Sequence, residues 1–138
     1  TVNGGADSDT INVGSNANGT STTPQSNSTG NLNDIGAHLT IDGNSPASGS
    51  DVLIIDDTGD ATANSGSLTA TTINGLGLSS AGITYNTIEH LIISLGDGGN
   101  RSTDRRVGED GSSPFQEDTL LNTGGGADTG NSHNVTDI

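Results

Sequence analysis

Residues 4–12 read Gly4-Gly5-Ala6-Asp7-Ser8-Asp9-Thr10-Ile11-Asn12. A glycine pair opens a turn, two aspartates follow, and a short β-prone step ends the unit. Residues 123–131 echo it as Thr123-Gly124-Gly125-Gly126-Ala127-Asp128-Thr129-Gly130-Asn131. Glycine supplies the left-handed conformations that tight turns need, while Thr and Ile favour extended chain. Each unit therefore reads as an acidic turn feeding a strand.

The acidity is general. The chain carries 17 Asp and Glu against 3 basic residues, for a net charge of −14. Such a surface repels itself unless salt or a bound cation offsets it. It also repels nucleic acid and anionic membrane, so neither is expected as a partner. No apolar run reaches the length of a membrane span, so no insertion is expected. Without Cys there is no disulfide and no thiol chemistry, and the redox compartment stays open. The chain does not begin with Met and shows no signal-peptide pattern. It reads as a piece of something longer or as a mature product.

Any core must come from Ile, Leu, Val and Ala, because Phe and Tyr occur once each and Trp and Met are absent. Val, Ile, Leu and Phe make up just under a fifth of the chain. At this net charge that composition borders on disorder. Their distribution is uneven, however, and half of them fall between Val52 and Leu95. An ordered centre with looser flanks is expected.

Helical periodicity is nearly absent. Apolar residues cluster briefly, at Leu39 and Ile41, Val52 to Ile55, Ile83 and Tyr85, and Leu91 to Ile93. Turn chemistry separates them, at Asp42-Gly43-Asn44, Asp57-Thr58-Gly59-Asp60, Asn74-Gly75 and Gly96-Asp97-Gly98-Gly99. This pattern predicts an all-β chain. Val52-Leu53-Ile54-Ile55 is continuous, which predicts burial on both faces. Thr87 to Leu95 fits a capped helix or a strand, and its three Ile residues favour strand. Asn100 stands where a third, weaker copy of the unit would have its Asp.

The expected organisation is a β-solenoid repeat region over 1–98, a charged loop or insertion over 99–118, and a terminal Gly/Asp-rich repeat and tail over 119–138. The loop would hold Arg101, Arg105 and Arg106 with Glu109, Asp110, Glu117 and Asp118. The spacing of the units is too uneven for a regular array. A short, irregular right-handed parallel β-helix fits better, each turn burying small aliphatics against the next.

The unit at 4–12 resembles the nonapeptide repeat of haemolysin-type (RTX) calcium-binding proteins. The stretch from Asp51 through Asp60, with Ile73 to Gly77, Gly82 to Tyr85, Glu89 to Leu91 and Leu95-Gly96, is similar to tandem units of very large secreted bacterial surface proteins. The resemblance implies calcium held between successive turns, with Asp9 and Asp128 as ligands beside turn carbonyls. It also implies that Gly4, Gly5, Gly124, Gly125 and Gly126 form the turns. Asp7 would add a ligand or only a bend. The fit is partial: the two units are not adjacent, and Gly130 replaces the inward aliphatic.

Calcium takes six to eight oxygens in flexible geometry, which Asp and turn carbonyls can supply. Solvated turn aspartates are the plain alternative at each position. Asp56, Asp57 and Asp60 form a second candidate set, with Asp97 a further one, although a tight turn closing the Val52–Ile55 strand is the favoured account of the three. His38, His90 and His133 form no zinc-type pair, and no Gly-x-Ser-x-Gly elbow occurs. Catalysis is not expected.

The expectation is a non-catalytic, calcium-stabilised structural module of a secreted or cell-surface protein, a spacer or scaffold in an adhesin or fibre. Its partners would be calcium ions and neighbouring repeats or copies stacked end to end. Two other readings remain: an adhesion domain contacting a glycan or protein, and an acidic, largely disordered linker.

Overall fold

The structure, a computed structural model, describes residues 1–18, 28–44, 50–78, 82–104, 118–122, 124–125 and 129–131. These residues form eleven strands and no helix, so none is long and apolar enough to cross a membrane. The strands are β1 (Val2–Gly5), β2 (Thr10–Val13), β3 (Leu39–Asn44), β4 (Val52–Asp57), β5 (Ser65–Leu68) and β6 (Thr72–Gly75). They continue as β7 (Ile83–Asn86), β8 (His90–Leu95), β9 (Arg101–Asp104), β10 (Asp118–Asn122) and β11 (Thr129–Asn131).

The chain alternates between two sheets. One has seven strands in the order β1-β3-β7-β6-β5-β9-β11, the other four in the order β10-β8-β4-β2. The four-stranded sheet is parallel throughout and in unbroken register. Thr10 faces Val52, Val52 faces His90, and His90 faces Asp118. Parallel neighbours cannot be joined by a tight hairpin. The chain therefore crosses to the other sheet before each return.

The core explains the register. Val13, Ile55, Ile93 and Leu121 occupy one row across β2, β4, β8 and β10, and all four are buried. Leu53 and Leu91 form the next inward row. From the larger sheet, Ile41, Ile73, Ile83 and Tyr85 join the same cluster. Strand alternation then turns Val52, Ile54 and Ile92 to the other face, where they form a second buried cluster. Val52 to Ile55 are thus buried on both faces, as the continuous apolar run predicts.

The segment after Thr87 is strand, as its Ile content favours, from His90 to Leu95. Two features differ from expectation. First, the larger sheet is mixed: β5 and β6, and β6 and β7, run antiparallel. Hydroxyls brace the turn between β5 and β6. The Thr69 Oγ1 accepts from the Thr72 amide at 3.0 Å and lies 2.7 Å from the Thr72 hydroxyl, while the Thr69 amide reaches the Thr72 carbonyl at 2.9 Å. Such local bonds turn the chain back. The Tyr85 hydroxyl then ties this turn to the core through the Thr69 carbonyl, at 2.7 Å.

Second, the segment expected as a charged loop over 99–118 contains β9 and the first residue of β10. Residues 101–104 pair with β5, and 101–103 also with β11. Partner strands on either side decide the conformation where local polarity reads as loop. Residues 105–117 of that segment lie outside the described residues.

Candidate functional site

The crossings between sheets place the acidic residues. On the way from the larger sheet into the smaller one, the chain passes Gly4 to Asp9, Gly43 to Asp51, and Thr87 to Glu89. One acidic residue stands directly before each strand of the smaller sheet: Asp9 before β2, Asp51 before β4, Glu89 before β8. In sequence, Glu117 stands before β10.

These residues are linked in one direction. The Asp51 Oδ1 accepts from the Asp9 amide at 2.7 Å, and the Glu89 Oε2 accepts from the Asp51 amide at 2.6 Å. The main chain answers in reverse: the Val52 amide donates to the Asp9 carbonyl and the His90 amide to the Asp51 carbonyl. Each later crossing thus grips the earlier one by a charge-assisted bond and a backbone bond.

Glycines sit against these carboxylates. A methyl group on Gly4 would lie 2.8 Å from the Asp9 Oδ2 and 2.9 Å from the Gly43 carbonyl oxygen. A methyl on Gly43 would collide with the Asp51 Oδ2 and the Thr87 carbonyl oxygen. The geometry therefore repeats: the crossing's own carboxylate and the next crossing's carbonyl converge on a glycine. At the second position Asp51 is fully buried, and its Oδ2 has no hydrogen-bond partner among the described residues. The Asp51 Oδ2 and the Thr87 carbonyl oxygen thus approach the same glycine. Thr87 holds φ at 49°, a conformation a β-branched residue rarely adopts. Its hydroxyl donates to the Asp42 Oδ1 at 2.7 Å. That bond, helped by the Asn44 amide, holds the exposed Asp42 carboxyl below its usual range.

The opposite crossing, from the smaller sheet back to the larger one, holds the remaining candidates. The Asp56 Oδ1 accepts from the Thr58 amide and hydroxyl, at 3.1 and 2.7 Å. Buried Asp57 accepts from the Leu32 amide at 3.1 Å and from Asn64 at 3.3 Å. Asp60 accepts from the Thr62 amide at 2.7 Å and from Asn64 at 3.0 Å. Each carboxylate thus has donors, with Asn64 serving two of them, as in a closed turn. Among the described residues no three His, Cys, Asp or Glu side chains gather as a metal-holding group.

The charges of this turn are set unequally. Burial, reinforced by the charges of Asp60 and Asp56, lifts the Asp57 carboxyl to about 6 against the Leu32 and Asn64 bonds. Burial also opposes ionisation of Asp60, but bonds from Asn64, Thr62 and Asn33 outweigh it and hold that carboxyl low. The sign for Asp57 follows from proton linkage. Between 3.8 and about 6 the folded state binds the proton and the unfolded state does not. Its contribution is full below 3.8 and lost as pH rises through about 6. Asp42 and Asp60 act oppositely, and only below 3.8. Urea midpoints are therefore expected to fall from about pH 4 to about pH 7, with a flatter profile in Asp57→Asn. Equal profiles in both proteins would exclude Asp57 as the source.

The same crossing stacks as well. The Asn100 side-chain oxygen accepts from the Asn64 amide at 3.2 Å, the Arg101 amide donates to the Asn64 carbonyl, and the Gly125 amide donates to the Asp97 Oδ1 at 2.8 Å. Asn100 precedes β9 as Asp128 precedes β11 in sequence, which is the place the sequence assigns it. Gly124 holds φ at 75°, and a side chain there would meet the Gly96 carbonyl.

The two sequence units thus stand at opposite crossings, Gly4 to Asp9 leading into the smaller sheet and Gly124 onward leading out of it. They do not stack on each other. Asp7 is exposed and Asp9 half-buried; Gly126, Asp128 and His133 lie outside the described residues. Sequence reasoning missed Asp51 and Glu89 as partners of Asp9. The available signal was an acidic residue immediately before each apolar strand.

Neither a protein-family model, nor a curated protein, nor a solved structure matches the chain.

Proposed function

We infer that this chain is a non-catalytic, calcium-stabilised structural module of a secreted or cell-surface protein, a spacer or scaffold in an adhesin or fibre. The successive crossings are read as turns of a short, irregular right-handed parallel β-helix, the usual hand for parallel crossover connections. The steps are uneven, 42 residues from Asp9 to Asp51, 38 from Asp51 to Glu89, and 28 from Asp97 to Gly125.

One observation carries the calcium reading: the buried, unpartnered Asp51 Oδ2 beside the Thr87 carbonyl. A buried carboxylate oxygen without a donor is costly, and a hard cation accepts both oxygens together. Asp51 and Thr87 would hold the ion at that position, Asp9 and the Gly43 carbonyl at the one before it. The ion would supply the positive charge that these oxygens and the net −14 lack. Water and further carbonyls complete calcium's usual coordination. Calcium levels outside the cell would then add binding free energy to folding.

Thermal unfolding followed by far-UV circular dichroism tests this. Calcium at about 100 times its Kd adds about 2.7 kcal/mol and raises Tm, with magnesium much weaker. Asp51→Asn places an amide donor against the Thr87 carbonyl. The variant is expected to melt no lower than the parent in chelator and to gain less from calcium, with only the Asp9 position left. A parent protein whose melting does not move with calcium would end the metal reading.

A further inference from the structure

Thr87 turns the chain where it crosses from β7 to β8. Asn86 before it is paired with Asp42 on β3. After it, the Glu89 and His90 amides both donate to the Asp51 carbonyl at 3.0 Å, and Ile88 is buried in the core. The residue between these anchors takes φ 49°. Glycine turns there at no steric cost, whereas a β-branched residue is strained. Such a conformation persists only where its surroundings hold it, and residues of this kind gather at functional sites.

The hold is a single oxygen. The Asp42 Oδ1 accepts from the Thr87 hydroxyl at 2.7 Å and from the Asn44 amide at 2.9 Å. The second bond spans two residues of the same strand, so the carboxylate is fixed independently of Thr87. Between Asp42 and Asn44 lies Gly43, which the Thr87 carbonyl oxygen and the Asp51 Oδ2 both approach. With its hydroxyl bound to Asp42, Thr87 therefore presents its carbonyl toward Gly43 and the Asp51 carboxylate.

We propose that Asp42 is a positioning residue for the cation site at Asp51: its bond to the Thr87 hydroxyl aims the Thr87 carbonyl at the ion. This rests on the calcium reading of Asp51. A glycine at position 87 would turn the chain without strain, but its carbonyl would be free to swing. The hydroxyl is what the strained residue adds. A carbonyl already in place need not be ordered when the ion arrives, and the ion binds more tightly for it. Asp42 acts through its hydrogen bond, and neither touches the ion nor works by its charge.

Calorimetric titration of the full chain with calcium, beside melting in chelator, tests this. Thr87→Val keeps the shape and removes the hydroxyl, while Asp42→Ala removes the acceptor. Each is expected to weaken calcium about tenfold at the Asp51 position, read as the part of the titration that Asp51→Asn abolishes. The two together weaken it no more than either alone, because both remove the same bond. Asp42→Asn keeps an acceptor oxygen and stays within about threefold of the parent. Thr87→Gly melts higher in chelator than Thr87→Val without regaining the affinity. Parental affinity in Thr87→Val or Thr87→Gly, additive losses in the double variant, or Asp42→Asn as weak as Asp42→Ala would overturn the proposal. So would variants that lose stability in chelator and nothing else. In all of those the parent still binds calcium and the reading of Asp51 stands; a parent that binds none ends both.

Discussion

Ile93→Ala is expected to remove about 2–5 kcal/mol of stability, a large part of the roughly 5–15 kcal/mol that holds a typical domain together. The residue is fully buried on β8, the strand with β4 on one side and β10 on the other. Ile55 and Leu121 are its register partners. Truncation therefore opens a void in the middle of a row, with no solvent-facing side to collapse from. Ile93→Val keeps most of the row and should cost about 0.5–1.5 kcal/mol. Urea unfolding of the three proteins reads the difference. A loss under about 1 kcal/mol for the alanine variant would mean that the row closes over the gap.

Gly43→Ala is expected to cost about 3 kcal/mol, the upper end for inserting a methyl group into a packed site. The added carbon collides with the backbone carbonyl of Thr87 as well as with the Asp51 carboxylate. A side chain can rotate away, but a carbonyl in the next crossing moves only with its strand. Gly4→Ala provides the contrast. Its contacts are looser, at 2.8 and 2.9 Å, and nothing among the described strands packs beyond β1 to hold it in place. About 1 kcal/mol is expected there. Equal losses at the two glycines would show that the Thr87 carbonyl is free to shift.

Strand content was legible because it depends on short-range chemistry. Glycine, Asn and Asp turns bracket short β-branched runs, and the run Val52 to Ile55 announces its two buried faces. The pairing was harder. The echo between 4–12 and 123–131 suggested equivalent turns, yet one leads into the smaller sheet and the other leads out of it. Sequence similarity of a turn reports its local conformation, not which crossing it occupies. Asp51 escaped notice because Gly43 to Asp51 spreads over more residues what Gly4 to Asp9 does in six. Glu89 reaches the Asp51 amide as Asp51 reaches that of Asp9, with one more methylene. The Thr69 to Thr72 reversal was hidden because threonines read as strand formers until their hydroxyls find backbone partners. Burial of Asp57 depends on Leu32 and Asn64, which no local pattern connects to it.

The mixed sheet has a consequence for the order of folding. Every parallel pair joins strands far apart in sequence, and the acidic crossings they connect stand 28 to 42 residues apart. Forming any of them first requires closing a long loop, with little gained until both sheets meet. The antiparallel turn from Leu68 to Ile73 carries no such entropic toll, and Tyr85 can clasp it from the neighbouring strand. A chain whose parallel pairings are all distant thus contains one local antiparallel segment, β5 to β7, placed between the strands that lead to either end of the stack.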